Sequence, residues 1–548
     1  MKQIYRIKHG NTILWQLGTL AESLRIVNGS ASANTCTMTK NGSANSVNME
    51  YSLDGTNWST WTADSSGNRS VSIPANGTLY LRGDNPNGLS RDNDTDYYNI
   101  TCSGSYSLAG DIRSLITNYA TDSLPVSAFR RLFKDSTTLT DASELKLSAE
   151  FPSERAYLHL FNGCTSLVRA PKLLPAGTSS NIPLASGVYG YMFYGCTSLT
   201  TMPYIAGRYF GNQSCYEMFR GCTALNDSWN GWESEITNTF GKVYLTIESV
   251  SGIQNFYNMF LDCTSLTDAS LIDGRAYWTV WGQGACYQMF RGCTAMTEAP
   301  NFVFNTFSGI GSCQNMFYDC NHLVTVPQLY LFATTVYQQT YKGMFRGCTR
   351  LTTAPEIGAT SLVDAGTNHE NSSLAYMFYG CTALHYLHVN FTNWNSGHYT
   401  TQWTYNVKGY GQFDSPASLL PKTKNSSDST TSTNYIPYNF GIGQIKLVAS
   451  AVAESISSTQ ITLTLYANGW TTPPLGSGDR PHWYINYGST EPSAPSTSSY
   501  MKKVDYSTTY PNWPEVTLNI SGSNKYIKII CVCSGYETSN VVSLHYTV

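Results

Sequence analysis

The sequence predicts a mixed, β-rich chain in which a solenoid of stacked repeats is flanked by two β-sandwich domains. Three observations carry this expectation. A seven-residue phrase, Phe-x-x-Cys-x-x-Leu, returns across the middle of the chain. On the N-terminal side, short alternating stretches are broken by Asn28-Gly29, Asn41-Gly42, Asp54-Gly55, Asn76-Gly77 and Asn87-Gly88. On the C-terminal side, alternating stretches return after a Ser/Thr/Asn-rich run.

The phrase places Phe161, Cys164 and Leu167 in one unit and Phe193, Cys196 and Leu199 in the next. It continues through Phe219, Cys222 and Leu225, then Phe260, Cys263 and Leu266, then Phe290, Cys293 and Met296. Phe317, Cys320 and Leu323, Phe345, Cys348 and Leu351, and Phe378, Cys381 and Leu384 complete the series. An earlier copy, Phe133 to Leu139, carries Ser136 in place of Cys and makes nine units. Seven of the eight Cys-bearing copies have Met before the Phe, which adds a further apolar column. Successive cysteines are 26 to 41 residues apart, a period that belongs to solenoids. One such unit cannot close a core alone and buries its apolar residues only against its neighbours. At about 2 kcal/mol per buried large side chain, each rung gains roughly 5–8 kcal/mol before entropy is subtracted.

The phrase Met-Phe-x-Gly/Asp-Cys-Thr-x-Leu resembles the BspA-type leucine-rich repeats of bacterial surface proteins and of phages infecting gut Bacteroidales. The resemblance covers about residues 127–400 and implies a leucine-rich-repeat solenoid, a scaffold that presents loops. The spacing departs from the shortest form of that family, so the longer units carry insertions. Tyr51 to Trp58 and Leu79 to Asp84 resemble the N-terminal modules of phage and prophage proteins bearing the same repeats. The expected fold is thus a leucine-rich-repeat solenoid between an N-terminal β-sandwich and a C-terminal immunoglobulin-like β-sandwich. The expected divisions are 1–115, 116–420 including a terminal cap, a linker at 421–440, and 441–548.

Composition narrows the function. Charged residues are 13% and aromatics 13%, with 39 Tyr, a balance suited to an extracellular protein that meets neutral surfaces. The net charge of −3 and the lack of a basic cluster remove the electrostatic case for nucleic acid or anionic lipid. No apolar run reaches 18 residues, so no membrane insertion is expected. Residues 1–15 alternate like a strand and lack the apolar core of a signal peptide. That reading favours synthesis in a host cytoplasm and release by lysis over export.

Eight of the fifteen cysteines hold one repeat position, and Cys215, Cys286 and Cys313 each sit four residues before a repeat Phe. The expectation is a ladder of buried thiols rather than a disulfide scaffold. No Cys-x-x-Cys pair suggests zinc, and Cys531 and Cys533 stand two apart on one strand face. Asp92, Asp94 and Asp96 alternate as calcium ligands can, but Tyr97 stands where a calcium loop needs Gly. No metal and no cofactor are expected.

Along the chain, 47–53 followed by Asp54-Gly55 reads as the first strand of a hairpin, and 111–126 as a lead into the solenoid, with 112–116 as a capping helix or strand. Within each repeat a short helical turn is expected on Tyr-x-x-Met-Phe-x-x-Cys, with a short strand after the Leu. Trp229 and Trp232 in the largest insertion, with Trp278 and Trp281 in the next repeat, could form an aromatic ligand-binding platform or fill enlarged cores. Residues 390–416 read as a cap and 422–434 as a linker. Beyond 441, six stretches have the alternation of an immunoglobulin-like sandwich, without its spaced Cys pair.

The sequence lacks a Gly-x-Ser-x-Gly elbow, a phosphate-binding loop and His-Glu-x-x-His; His385 and His388 are the nearest histidine pair. No enzyme is expected. The expected function is a structural and adhesive protein of a phage virion, a head or tail fibre or spike. Its N-terminal domain would join capsid or tail proteins, and its repeats would meet a host-cell glycan or protein. Such fibres are usually trimeric, so a homotrimer is expected from the class. The alternatives are a bacterial surface adhesin and a tail-spike glycosidase.

Overall fold

Strands and turns build the chain, and no α-helix occurs among the described residues. The computed structural model describes residues 7–9, 12–15, 23–116, 124–147, 152–174, 184–205, 209–226, 245–247, 249–250, 252–269, 272–274, 280–326, 329–362, 371–391, 400–407, 411–415, 440–444, 448–456, 460–468, 482–505, 515–520, 524–532 and 542–547. Among them no helix is long and apolar enough to cross a membrane.

A hairpin of β1 (Ile7–His9) and β2 (Thr12–Trp15) precedes the N-terminal unit. That unit contains β3 (Leu24–Asn28), β4 (Asn34–Lys40), β5 (Met49–Ser52), β6 (Ser59–Thr60), β7 (Arg69–Ile73), β8 (Thr78–Gly83), β9 (Tyr98–Cys102) and β10 (Tyr106–Asp111). One sheet runs β10-β3-β8-β5-β6 and a second runs β7-β4-β9. Period-2 alternation puts Leu24 and Ile26, Cys36 and Met38, and Ile100 and Cys102 inside. β5 and β6 form the hairpin expected at Asp54-Gly55. Gly55 supplies a φ of 76° and the Asp54 carboxylate accepts from the Thr56 and Asn57 amides, both at 2.8 Å.

The repeat units stack as rungs, and their turns are not helical. In the rung of Phe161, the amides of Ala156, Leu158, Leu160, Asn162 and Cys164 donate to carbonyls three residues back. The intervening amides of Arg155, Tyr157, His159, Phe161 and Gly163 donate to Ser186, Val188, Gly190, Met192 and Tyr194 of the next rung. A helix would keep every amide within the segment; here alternate amides are spent between rungs, so the expected helical turn gives way to a chain of overlapping turns. Every fourth residue takes a left-handed φ: Arg155, His159 and Gly163, then Gly187, Tyr191 and Gly195. The third of these positions explains the Gly/Asp of the repeat phrase. Gly163, Gly195, Gly221, Gly292, Gly347 and Gly380 alternate there with Asp135, Asp262 and Asp319, all at positive φ, which Gly and Asp adopt with least strain.

Where one rung has Asp at that position, the next has Gly for want of space. A Cβ on Gly347 would lie 2.2 Å from Asp319 Oδ1, and one on Gly292 would lie 2.4 Å from Asp262 Oδ1. Gly347→Ala is therefore expected to cost about 1–3 kcal/mol through clash and backbone strain. Adding Asp319→Gly should recover the clash portion, measured as a double-mutant cycle by denaturant unfolding. Additive costs would refute the contact.

The motif residues line the interior. The repeat Phe rings are fully buried and stack from Phe133 to Phe378, with centroids 5.3–5.6 Å apart and planes within 9°. Every repeat Cys is fully buried, and each thiol donates at 3.0–3.1 Å to the carbonyl of the preceding rung's Phe. Cysteine thus serves as a small apolar group with a weak donor. The first rung has no such predecessor, and its Ser136 hydroxyl pairs instead with Tyr106 Oη at 2.7 Å. Leu167, Leu199, Leu225, Leu266, Met296, Leu323, Leu351 and Leu384 are also buried.

After each Leu or Met the chain runs into a parallel sheet, one strand per rung: Leu173–Leu174, Tyr204–Ile205, Leu245–Thr246, Ile272–Gly274, Asn301–Val303 and Leu329–Tyr330. Single bridges from Leu331 to Ile357 and on to Val389 carry the pairing forward. A tenth rung at 400–407, in the region expected to cap the stack, places Thr404 and Val407 where Phe and Cys would be. This register follows from Phe378 N–H donating to Trp403 O at 2.7 Å, as each repeat Phe donates to the residue before the next Phe. Trp403 lies tilted 6.3 Å from Phe378 and edge-on to Phe391 and Phe413.

The N-terminal unit is fused to the first rung. β10 pairs in parallel with β11 (Leu139–Lys146) of that rung, which makes the first sheet β11-β10-β3-β8-β5-β6. The Leu89 and Ile100 amides and the Ser90 hydroxyl donate to the carbonyls of Ala128, Leu132 and Arg130. Asp92 and Asp94, considered above as calcium ligands, face arginines: Arg155 bonds Asp92 at 2.7 Å, and Arg130 and Arg131 pair with Asp94. Partial burial raises the Asp92 carboxyl, but bonds from Arg155 and Ser127 and the charges of Arg155 and Arg130 outweigh it and hold the group below its usual range.

At the other end, Gly411–Ser415 pairs in parallel with Tyr386–His388 and with Phe440–Gln444. Phe440–Gln444 is therefore the far strand of a three-stranded parallel sheet that begins in the rung of Phe378. The expected linker at 422–434 lies outside the described residues. The C-terminal strands form two antiparallel sheets, Val448–Ile456 with Gln460–Asn468 and Glu515–Asn519, and Lys502–Asp505 with His482–Gly488, Asn524–Val532 and Val542–Thr547. Leu463, Leu465, Leu518, Trp483, Ile485 and Ile529 are buried there, apart from the cluster that joins the N-terminal unit to the repeats.

Candidate binding surface on the turn face

The turns that bury Phe and Cys also expose residues at fixed offsets from them, because successive rungs repeat one backbone path. Two residues before Phe stand His159 and Tyr191; three before it stand Tyr216, Tyr257 and Tyr287. Their rings form one half-buried column. His159 stacks on Tyr191 at 4.5 Å, Tyr191 leans on Tyr216 at 5.2 Å, and Tyr216, Tyr257 and Tyr287 stack at 4.8 and 4.5 Å within 7° of parallel. Burial, reinforced by the neighbouring phenols, pushes the Tyr257 hydroxyl up to about 12, so it stays a neutral donor and acceptor.

One residue after Phe a second column carries cations and rings, interrupted by buried Leu261 in the rung of Phe260. Arg220 lies 5.5 Å from the Tyr194 centroid. Further along, Arg291 and Arg346 flank Tyr318 at 4.7 and 5.3 Å, Arg346 lies 4.7 Å from Tyr379, and Tyr379 stacks on Tyr405 at 4.9 Å. Such contacts are each worth about 0.5–1 kcal/mol where exposed. Between the columns, buried Glu217 accepts from Arg220 at 2.9 Å and Asn258 at 3.1 Å. Ring faces are consumed by stacking, and the half-buried phenols and guanidinium groups stay partly open to solvent. The surface can therefore hydrogen-bond a polar ligand on a pre-ordered aromatic base.

His159 adds a pH dependence. Burial, with Arg131, Arg130 and Lys134 nearby, pushes its imidazole down to about 3. An unfolded chain would bind its proton near 6.5, so stability present above pH 6.5 is lost as pH falls from there toward 3. The expected loss is roughly 3 kcal/mol between pH 6.5 and 4. His159→Gln should flatten that segment of a melting-temperature profile; an unchanged slope would refute the assignment.

Of the four tryptophans expected as a platform or as core filling, the structure places Trp281 in the core. Trp281 is fully buried, donates from Nε1 to Val303 O at 3.2 Å, and packs against Phe302 and Phe304. It fills the interior and cannot stack on a ligand. Trp229, Trp232 and Trp278 lie outside the described residues. His385 is exposed, whereas His388 is buried in its strand, so the two do not converge. The cysteines of the N-terminal unit and the repeats, from Cys36 to Cys381, are free and buried, and burial raises thiols such as Cys293 and Cys348 well above their usual range, the opposite of an activated nucleophile. Among the described residues no three His, Cys, Asp or Glu side chains gather as a metal site would require.

Sequence inspection passed over the Tyr and Arg columns. Their signal was the recurrence of Tyr and Arg directly after the Phe, at 194, 220, 291, 318, 346 and 379. No family model, curated protein or solved structure matches the chain.

Proposed function

We propose that the chain is a non-catalytic adhesive protein of a phage virion, a fibre or spike built on a leucine-rich-repeat solenoid between two β-sandwich domains. In this reading the N-terminal sandwich joins capsid or tail proteins, the chain assembles as a homotrimer, and the turn face meets a host-cell glycan or protein. The single observation that carries the binding role is the pair of half-buried columns along the turn face, Tyr216 to Tyr287 and Arg291 to Tyr405. Rigid, partly exposed aromatics lose little entropy on contact and suit such recognition. The buried thiols and separated histidines support the non-catalytic part of the reading.

Two measurements test it. Gold-labelled antibody against 441–548 should decorate phage particles; label confined to bacterial envelopes would make the protein a cell-surface adhesin. Fluorescent protein should bind host cells, and the Tyr257→Ser/Tyr287→Ser variant should bind at least tenfold more weakly. Undiminished binding by a folded variant would move the contact elsewhere.

A further inference from the structure

The second column differs along its length. Arg220 is committed to Glu217 at 2.9 Å. Arg291 and Arg346 form no ion pair among the described residues, yet both are half-buried and held in place by ring contacts. Their shared neighbour Tyr318 lies between them, in the rung of Phe317. Rung spacing there is set by the Phe290–Phe317 and Phe317–Phe345 stacks at 5.5 and 5.4 Å. Two fixed guanidinium groups therefore stand two rungs apart on a line parallel to the stack, with phenols between and beyond them. The guanidinium carbons sit over ring faces, and among the described residues no carboxylate occupies their N–H donors. Guanidinium forks match carboxylate and sulfate oxygens.

We propose that Arg291 and Arg346 form an anion-reading pair for a linear acidic polysaccharide, whose carboxylate or sulfate groups on alternate sugars meet the two guanidinium groups. Sugar hydroxyls would bond the edges of Tyr318, Tyr379 and Tyr405. This inference deepens the reading of the turn face as a host-binding surface and rests on it. An extended polymer fits better than a compact anion, since the two cations are too far apart to share one group. Nucleic acid fits poorly, since a phosphate backbone demands several cations in close series, whereas these two guanidinium groups stand two rungs apart with a phenol between them.

The test is calorimetric titration of the full chain with polygalacturonate, dextran sulfate, neutral dextran and single-stranded DNA. The expected result is binding to one or both acidic polysaccharides, weakened by raised salt, with neutral dextran inert. Arg291→Gln/Arg346→Gln should lose at least tenfold in affinity, while Arg220→Gln, whose guanidinium is already occupied, should lose little. Equal binding of neutral dextran, equal or tighter binding of DNA, or full affinity in the double variant would each overturn the proposal. Host-cell binding separates the two readings. Cell binding that survives in the double variant overturns acidic-glycan recognition alone, whereas wild-type protein that ignores cells overturns the adhesive reading itself.

Discussion

Phe290→Ala should lower stability by about 3–5 kcal/mol, the usual cost of emptying an aromatic core site. The ring sits mid-column, 5.3 Å from Phe260 and 5.5 Å from Phe317, with nearly parallel contacts on both sides. Its loss removes two aromatic pairs, each worth about 0.5–1.5 kcal/mol beyond burial. A linear array couples nearest neighbours, so amide exchange should speed up in the rungs of Phe260 and Phe317 as well. Wild-type melting with unchanged exchange would show that the column does not hold the rungs together.

Trp403→Ala should cost a similar amount locally but spread in one direction only. Trp403 is 1% exposed and closes the column against Phe378, Phe391 and Phe413. Removing it leaves a large void at the last rung, again about 3–5 kcal/mol. Exchange should accelerate in the rungs of Phe378 and Phe345 and stay slow near Phe161. Uniform loosening of all rungs would mean that the stack melts as one unit rather than fraying from an end.

The interior was legible in the sequence because burial constrains chemistry. Phe, Cys and Leu recur where a stacked ring, a small thiol facing a carbonyl and an aliphatic wall are each required. The backbone path was less legible. Of three left-handed positions per rung, only the one at Gly163 and its equivalents restricts residue type; the one at His159 also hosts Tyr191, Glu217 and Gln288, so periodicity alone suggested a helical turn. The exposed columns were hidden for a related reason: Tyr and Arg in a solvated turn look ordinary until the offset from Phe is tracked across rungs. For Trp281 the sequence left two readings open, platform or enlarged core, and its full burial selects the core.

The direction of the bonds between rungs has a further consequence. In each turn segment the alternate amides point toward the following rung and the carbonyls toward the preceding one, so these peptide dipoles add along the stack instead of cancelling. The stack is a polar rod, partly negative at the first rung and partly positive at the tenth. Arg130, Arg131 and Arg155 gather at the negative end, the placement that favours cations beside aligned carbonyls. The two ends are therefore chemically unlike. The first needs donors, which Leu89, Ser90 and Ile100 provide, and the last needs acceptors. An N-terminal unit grafted onto the far end would set donor against donor.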